Sequence, residues 1–139
     1  MITEIKEKII TAVQSVDDIV GTYGYPLENA TGYPYAYVTW VGNTAERIDN
    51  HRQRIVLTYS IIVVQEKIEE LKGRANAELT SEARAEAIEK KIRESKDLGS
   101  SNVLMVLPVR MTKRYDDSST RIILEAEVAV ELLAPFAVN

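Results

Sequence analysis

The chain has one histidine and no cysteine, so any nucleophile, general base or metal ligand must come from hydroxyls, carboxylates or His51. His51 stands ahead of Arg52 and Arg54 at the start of a strand-like segment. A single imidazole without a nucleophile beside it reads as a strand-end residue and not as a general base. With no His/Cys pair for a metal, the adjacent Asp116 and Asp117 are the notable carboxylates. They lack the spaced oxygen ligands of a calcium loop and read as turn residues. Gly21, Gly24, Gly32 and Gly42 form neither GxGxxG nor a GKS/GKT phosphate loop. Gly99-Ser100-Ser101 follows a helical pattern, where a phosphate loop must precede one. No catalytic residue, cofactor or metal site is expected.

Two sets of residues suit binding instead. Tyr23, Tyr25, Tyr33, Tyr35, Tyr37 and Trp40 concentrate the aromatics in one stretch, and no basic residue lies between Thr22 and Glu46. Stacking on nucleic acid needs cations beside the rings, so strand residues facing a core and a protein contact are the better reading. Glu125, Glu127 and Glu131 alternate along the final strand. They are either a solvated sheet face or an acidic surface presented to a partner or a pore.

Composition agrees. A chain of 139 residues, 45% hydrophobic and 27% charged, suits one domain with one ordinary core. Net charge is −4 with an isoelectric point near 5.1, which is no footprint for gripping DNA. The segment Met1 to Lys8 interleaves charges with apolar residues and resembles no secretory signal, so a cytoplasmic origin is expected. Ile55 to Val64, the most apolar stretch, is about half a membrane span and contains Thr58, Tyr59 and Ser60. No membrane association is expected.

The elements that must position these residues follow from periodicity. Ile2, Ile5, Ile9, Val13, Val16 and Val20 step by three or four, predicting an amphipathic helix over 2–20 stopped by Gly21. Thr22 to Gly32 reads as a loop with at most a short strand near Tyr23 to Leu27, and Pro34 to Val41 as a strand. Gly42 to His51 is polar and predicts a loop. Arg52 to Gln65 predicts a long strand with Ile55, Leu57, Tyr59, Ile61 and Val63 on one face. Val56, Ile62 and Val64 on the other face place its second half mid-sheet or in an interface.

Helix formers run from about Ser81 to Leu98, capped by Thr80 or Ser81, with Ile88, Ile92 and Leu98 toward the sheet and Gly99 closing. Gly73 and the run Asn76 to Ser81 interrupt the helix formers before that helix, so Glu66 to Leu79 reads as a separate helical turn or two. Asn102 to Tyr115 and Thr120 to Leu133 predict a hairpin across Asp116-Asp117-Ser118-Ser119. Alternation pairs Met105 with Val130, Leu107 with Val128, Val109 with Ala126 and Met111 with Leu124, and sets Arg110 opposite Glu125 on the other face. Pro108 then marks an edge or a bulge. The order α-β-β-β-α-β-β predicts an α+β fold, a mainly antiparallel four- to five-stranded sheet packed against two helices.

This order, with the segment Tyr33-Pro34-Tyr35-Ala36-Tyr37-Val38-Thr39-Trp40, resembles the tail terminator family of long-tailed bacteriophages. The leading helix, the aromatic-Pro strand ending in glycine, the long strand Gln53 to Gln65 and the turn Arg114-Tyr115-Asp116-Asp117 carry the likeness over nearly the whole chain. The resemblance implies a non-enzymatic, cofactor-free virion protein made in the host cytoplasm. It implies a homo-oligomeric, hexameric ring that stacks on the major tail tube protein, stops its polymerisation and joins a head completion or neck protein, while DNA passes through without specific binding. On that reading Tyr35, Tyr37, Trp40, Asp49, Ile62, Val64, Asp116 and Asp117 are candidate oligomer and partner contacts, and Glu125, Glu127 and Glu131 candidate pore-lining residues. The competing readings are another neck or connector protein, and a small ligand-binding or enzymatic domain with a pocket of Tyr35, Tyr37, Tyr59 and Trp40.

Overall fold

The computed structural model describes residues 2–16, 19–26, 32–66, 73–94, 103–106, 110–115 and 121–135. In chain order the elements are α1 (Ile2–Gln14), β1 (Gly21–Tyr23), β2 (Tyr35–Arg47), β3 (Arg52–Glu66), α2 (Gly73–Glu94), β4 (Val103–Val106), β5 (Arg110–Tyr115) and β6 (Arg121–Pro135). The fold is α+β, as the alternation predicts. The strands form one sheet in the order β1-β2-β3-β6, with β4 and β5 both pairing along the outer side of β6. All pairs are antiparallel except β1 with β2, which is parallel. The sheet is therefore mixed.

The centre is β3, flanked by β2 and β6 along its length. Arg52 pairs with Pro135 and Glu66 with Arg121, so β3 and β6 are in register over fifteen residues each. Period-two alternation sorts their side chains. Ile55, Leu57, Tyr59, Ile61 and Val63 of β3 join Ile122, Leu124, Ala126, Val128, Val130 and Leu132 of β6 in the core. Both helices cover this face. Ile5, Ile9 and Val13 form the buried stripe of α1, and Ser81, Arg84, Ile88 and Ile92 recur at three- and four-residue steps down α2.

Four boundaries differ from the sequence reading, each for a local reason. Helix α1 ends at Gln14 because the chain tightens there: the Ser15 hydroxyl donates to the Ala12 carbonyl at 2.6 Å, and the Val16 amide to that of Val13 at 3.0 Å. Gly21 accordingly stops no helix but opens β1, opposite Tyr35. The short strand is Gly21–Tyr23, and Leu27 lies outside the described residues. Gly42 to His51 is no ten-residue loop, since β2 continues to Arg47 and pairs down to Gln53. Weak intrinsic strand preference in Asn43-Thr44-Ala45-Glu46 is overridden by the ladder offered by β3. Helix α2 starts at Gly73, so Thr80 and Ser81 lie inside it and Ser81 is buried instead of capping. Leu98 and Gly99 lie outside the described residues.

The closing strands also differ. The segment read as one strand is two, β4 and β5, and their pairing to β6 is offset. Val103 faces Leu132, Met105 faces Glu131, and Val106 faces Val130. Further along, Arg110 faces Glu127 and Met111 faces Ala126. The expected partners of Met105, Arg110 and Met111 are thus wrong. The shift between Val103 and Met105 is a β-irregularity that inserts one residue on β4. For Met111 the displacement is two residues, which preserves its face, and it packs partly buried against the core. For Met105 it is one residue. Leu107, Pro108 and Val109 lie outside the described residues, as does the turn 116–119.

Candidate oligomer and partner interface

The sheet face opposite the helices gathers most of the residues singled out above. Reading across the strands, Tyr35 lies beside Val64, Val64 beside Ile123, and Ile123 beside Arg114. The next row is Tyr37, Ile62, Glu125 and Thr112, and the one after it Thr39, Ser60, Glu127 and Arg110. Further along, Thr44, Val56 and Glu131 share a row. So Tyr35, Tyr37, Ile62, Val64, Glu125, Glu127 and Glu131, scattered over almost a hundred residues of sequence, occupy one face. Val64 is buried among its neighbours, and Tyr35, Tyr37 and Ile62 are half-buried.

At one end this face is aromatic and cationic. The Tyr33 and Tyr35 rings are tilted with centroids 5.7 Å apart, and the Arg121 guanidinium lies 5.3 Å from the Tyr33 ring centre. Burial pushes the Tyr35 phenol up, Tyr33 and Tyr37 reinforce the shift, and Arg121 opposes it. Burial likewise pushes Tyr37 up, against Arg114 and with Glu125. Those opposing charges reach Tyr37 from two other strands across the same surface. Tyr and Arg beside one another are the side chains that dominate protein contacts, because each buries large area at low entropic cost.

The acidic row behaves differently from the sequence expectation, in which Glu125 alone has a partner, Arg110. Glu125 accepts a hydrogen bond from the Ser60 hydroxyl at 3.3 Å. Arg110 stands opposite Glu127, which is exposed. Glu131 pairs with Arg54 at 2.7 Å, and Arg54 also reaches Glu46 at 3.8 Å. Arg54 was not legible as part of this surface because its partners come from β2 and β6, on either side of it. Glu131 is therefore ion-paired, and the face carries both signs, since Arg110 and Arg114 of β5 share it with Glu125 and Glu127.

Two candidates lie elsewhere. Trp40 pairs with Tyr59 and so belongs to the helix side of β2, not to the row of Tyr35 and Tyr37. The strand shifts register between Trp40 and Gly42, leaving Trp40 42% and Val41 60% exposed. Asp49 organises the tight turn after β2. It accepts the backbone amides of His51 and Arg52, both at 2.8 Å, and pairs with the Arg52 guanidinium at 2.9 Å. These contacts, led by the His51 amide, hold its carboxyl below the usual range. Asp116 and Asp117 lie outside the described residues.

The pocket imagined from Tyr35, Tyr37, Tyr59 and Trp40 does not form. Tyr59 is fully buried under α1, the first two face the other side of the sheet, and Trp40 is exposed at the edge. A groove of about 410 Å³ does occur between the end of α1 and α2, lined by Ser15, Thr80, Arg84, Lys90 and Lys91 among others. Arg84 is buried there and donates to the Gln65 side chain. Among the described residues no three His, Asp or Glu side chains cluster as metal ligands, and no helix is long and apolar enough to cross a membrane.

No family model matches the chain, and no curated protein matches its sequence. Its fold does have a counterpart among solved structures. A chain of the virion of a native gene transfer agent particle superposes with a TM-score of 0.55 at 14% identity, covering 91% of this chain and 84% of that one. At that identity the likeness is one of fold.

Proposed function

We propose that this protein is a structural subunit of a phage or phage-like virion, and within it a tail terminator. As a homo-oligomeric, hexameric ring it sits on the last ring of the tail tube, stops the major tail tube protein from polymerising and offers the head completion or neck protein its docking surface. It does this without catalysis or a cofactor. The observation that carries the reading is the fold shared with a chain of a gene transfer agent virion over 91% of this chain. It joins the sequence resemblance to tail terminators, which spans the same elements.

The surface chemistry supports the same reading. A tube growing by stacking identical rings does not close on itself and continues until a different subunit occupies its end. Such a subunit needs contact surfaces, not an active site, and the face of Tyr35, Tyr37, Ile62 and Val64 is one. Glu125 and Glu127, turned toward the passage, would repel the DNA backbone and let it slide.

The test is deletion of the gene in the particle that carries it, followed by electron microscopy of the products. Filled heads without tails, beside tubes of irregular and excessive length, are expected. Tubes of normal length that fail to join heads would make the protein a neck component instead. Normal head-attached tails would overturn both readings.

A further inference from the structure

Among the described residues the pairing of the sheet stops at two sides, and they suit each other. Beyond Tyr37, β2 has β3 as its one strand neighbour among the described residues, because β1 reaches only from Gly21 to Tyr23. On the far side, β4 and β5 have β6 as theirs. Edge strands display rows of backbone donors and acceptors, and soluble proteins usually blunt them with lysine, proline or charge. From Thr39 to Glu46 β2 contains neither lysine nor proline, its one charge is Glu46 at the far end, and its register shifts once, between Trp40 and Gly42. It presents instead Trp40 and Val41, 42% and 60% exposed.

We infer that a second copy of this chain covers that edge: the β4–β5 side of one subunit adds to the Thr39–Glu46 stretch of β2 in the next and continues the sheet from subunit to subunit. This deepens, and rests on, the ring reading above. Strand polarity permits it. β2 is antiparallel to β3, β3 to β6, and β6 to both β4 and β5. β2 therefore runs opposite to β4 and β5. Two copies side by side with their helices on the same face meet in the antiparallel arrangement, the more stable of the two.

Side chains favour this partner over a two-fold pairing of β2 with itself. Next to the uncovered face β2 offers Glu46, whereas β5 offers Arg110 and Arg114 in the same layer. With Glu46 beside Arg110, the helix-side layer sets Trp40 of one copy toward Tyr115 of the other. A two-fold β2 contact would bring no opposite charge to Glu46 in that layer, and it would leave the β4–β5 side of both copies unused. Because the two edges differ, the contact is heterologous and propagates until the ring closes.

The chain has no cysteine, so introduced thiols are its only ones. Val41→Cys and Thr112→Cys are prepared as single and double variants, folding is checked by circular dichroism, and each is treated with a flexible bis-maleimide. The mixture of singles should give covalent dimers, each single alone should stay monomeric on a denaturing gel, and the double variant should give a ladder ending at the ring number. Dimers from Val41→Cys alone would overturn the proposal in favour of a two-fold contact. Rings visible by electron microscopy of the wild type, with no cross-linking of the mixture or the double variant, would overturn the edge contact and leave the ring reading standing. Monomers by sedimentation with no cross-linking would overturn both.

Discussion

The Tyr59 hydroxyl, at the centre of β3, donates a 2.7 Å hydrogen bond to the carbonyl of Ile2 in the first turn of α1. The ring is fully buried, so a core side chain of the sheet also anchors the helix that covers it. Replacing Tyr59 with Phe removes this bond and keeps the packing. A loss of about 1 kcal/mol is expected from denaturant unfolding, with the fold and any oligomer retained. Tyr59→Ala adds a cavity and should cost about 3–5 kcal/mol.

The same tyrosine sets an alkaline limit. Burial pushes its phenol up to about 12 from 10.0. The unfolded chain thus gives up this proton before the folded one does, and binds fewer protons between those values. Stability from this group is whole below about pH 10 and is lost as pH rises toward 12, by about 2–3 kcal/mol in all. Unfolding midpoints measured across that window should fall more steeply for the wild type than for Tyr59→Phe.

The register of β5 on β6 is open to a direct check. Met111 faces Ala126 and not Leu124. A Met111→Cys, Ala126→Cys pair should form an intramolecular disulfide on mild oxidation, and Met111→Cys, Leu124→Cys should not. The reverse result would restore the two-residue-shifted pairing read from alternation alone.

Arg54 joins Glu131 on β6 to Glu46 on β2. Its side chain is 45% exposed while that of Glu131 is 19% exposed, so the second pairing is the better shielded. Arg54→Ala should destabilise by about 1 kcal/mol, mostly through the carboxylate left at Glu131. Glu131→Gln in that background should recover part of the loss. A double-mutant cycle with no coupling between the two positions would rule the bridge out as a stabilising contact.

What could be read from the sequence was what repeats. The stripe of α1 and the alternation in β3 identified Ile5, Ile9, Val13, Ile55, Leu57, Tyr59, Ile61 and Val63 as core, and they are buried. The start of α2 escaped because Gly73 and the run Asn76 to Ser81 are poor helix formers, and among the described side chains its buried stripe includes Ser81 and Arg84, which a hydrophobic pattern does not count. Asn43 to Arg47 looked like loop because a strand's stability there comes from its partner, which is distant in sequence. The offset of β5 is two residues, an even shift that leaves every side chain on its face, so alternation cannot tell it from the pairing expected. For the surface, Tyr35, Tyr37, Ile62, Val64 and the three glutamates were named separately, but only the strand register puts them side by side. Trp40 stands on the opposite face from Tyr35 and Tyr37 by simple alternation and stays exposed at the edge, and Arg54 was missed because long-range ion pairs leave no local signature.

The order of the strands also sets a kinetic constraint. β3 occupies the middle of the sheet, yet one of its two neighbours, β6, follows only after α2, β4 and β5. Even the closest pair, Glu66 with Arg121, encloses that whole stretch as a loop. Closing it costs chain entropy before any of the fifteen-residue ladder is gained. On the ribosome, α1 and the β2–β3 hairpin emerge with one side of Ile55 to Val64 still lacking its partner strand, a half-sheet that is prone to the wrong pairing. The cooperative folding step should therefore wait for β6, and should be slow beside that of a helical protein of equal length.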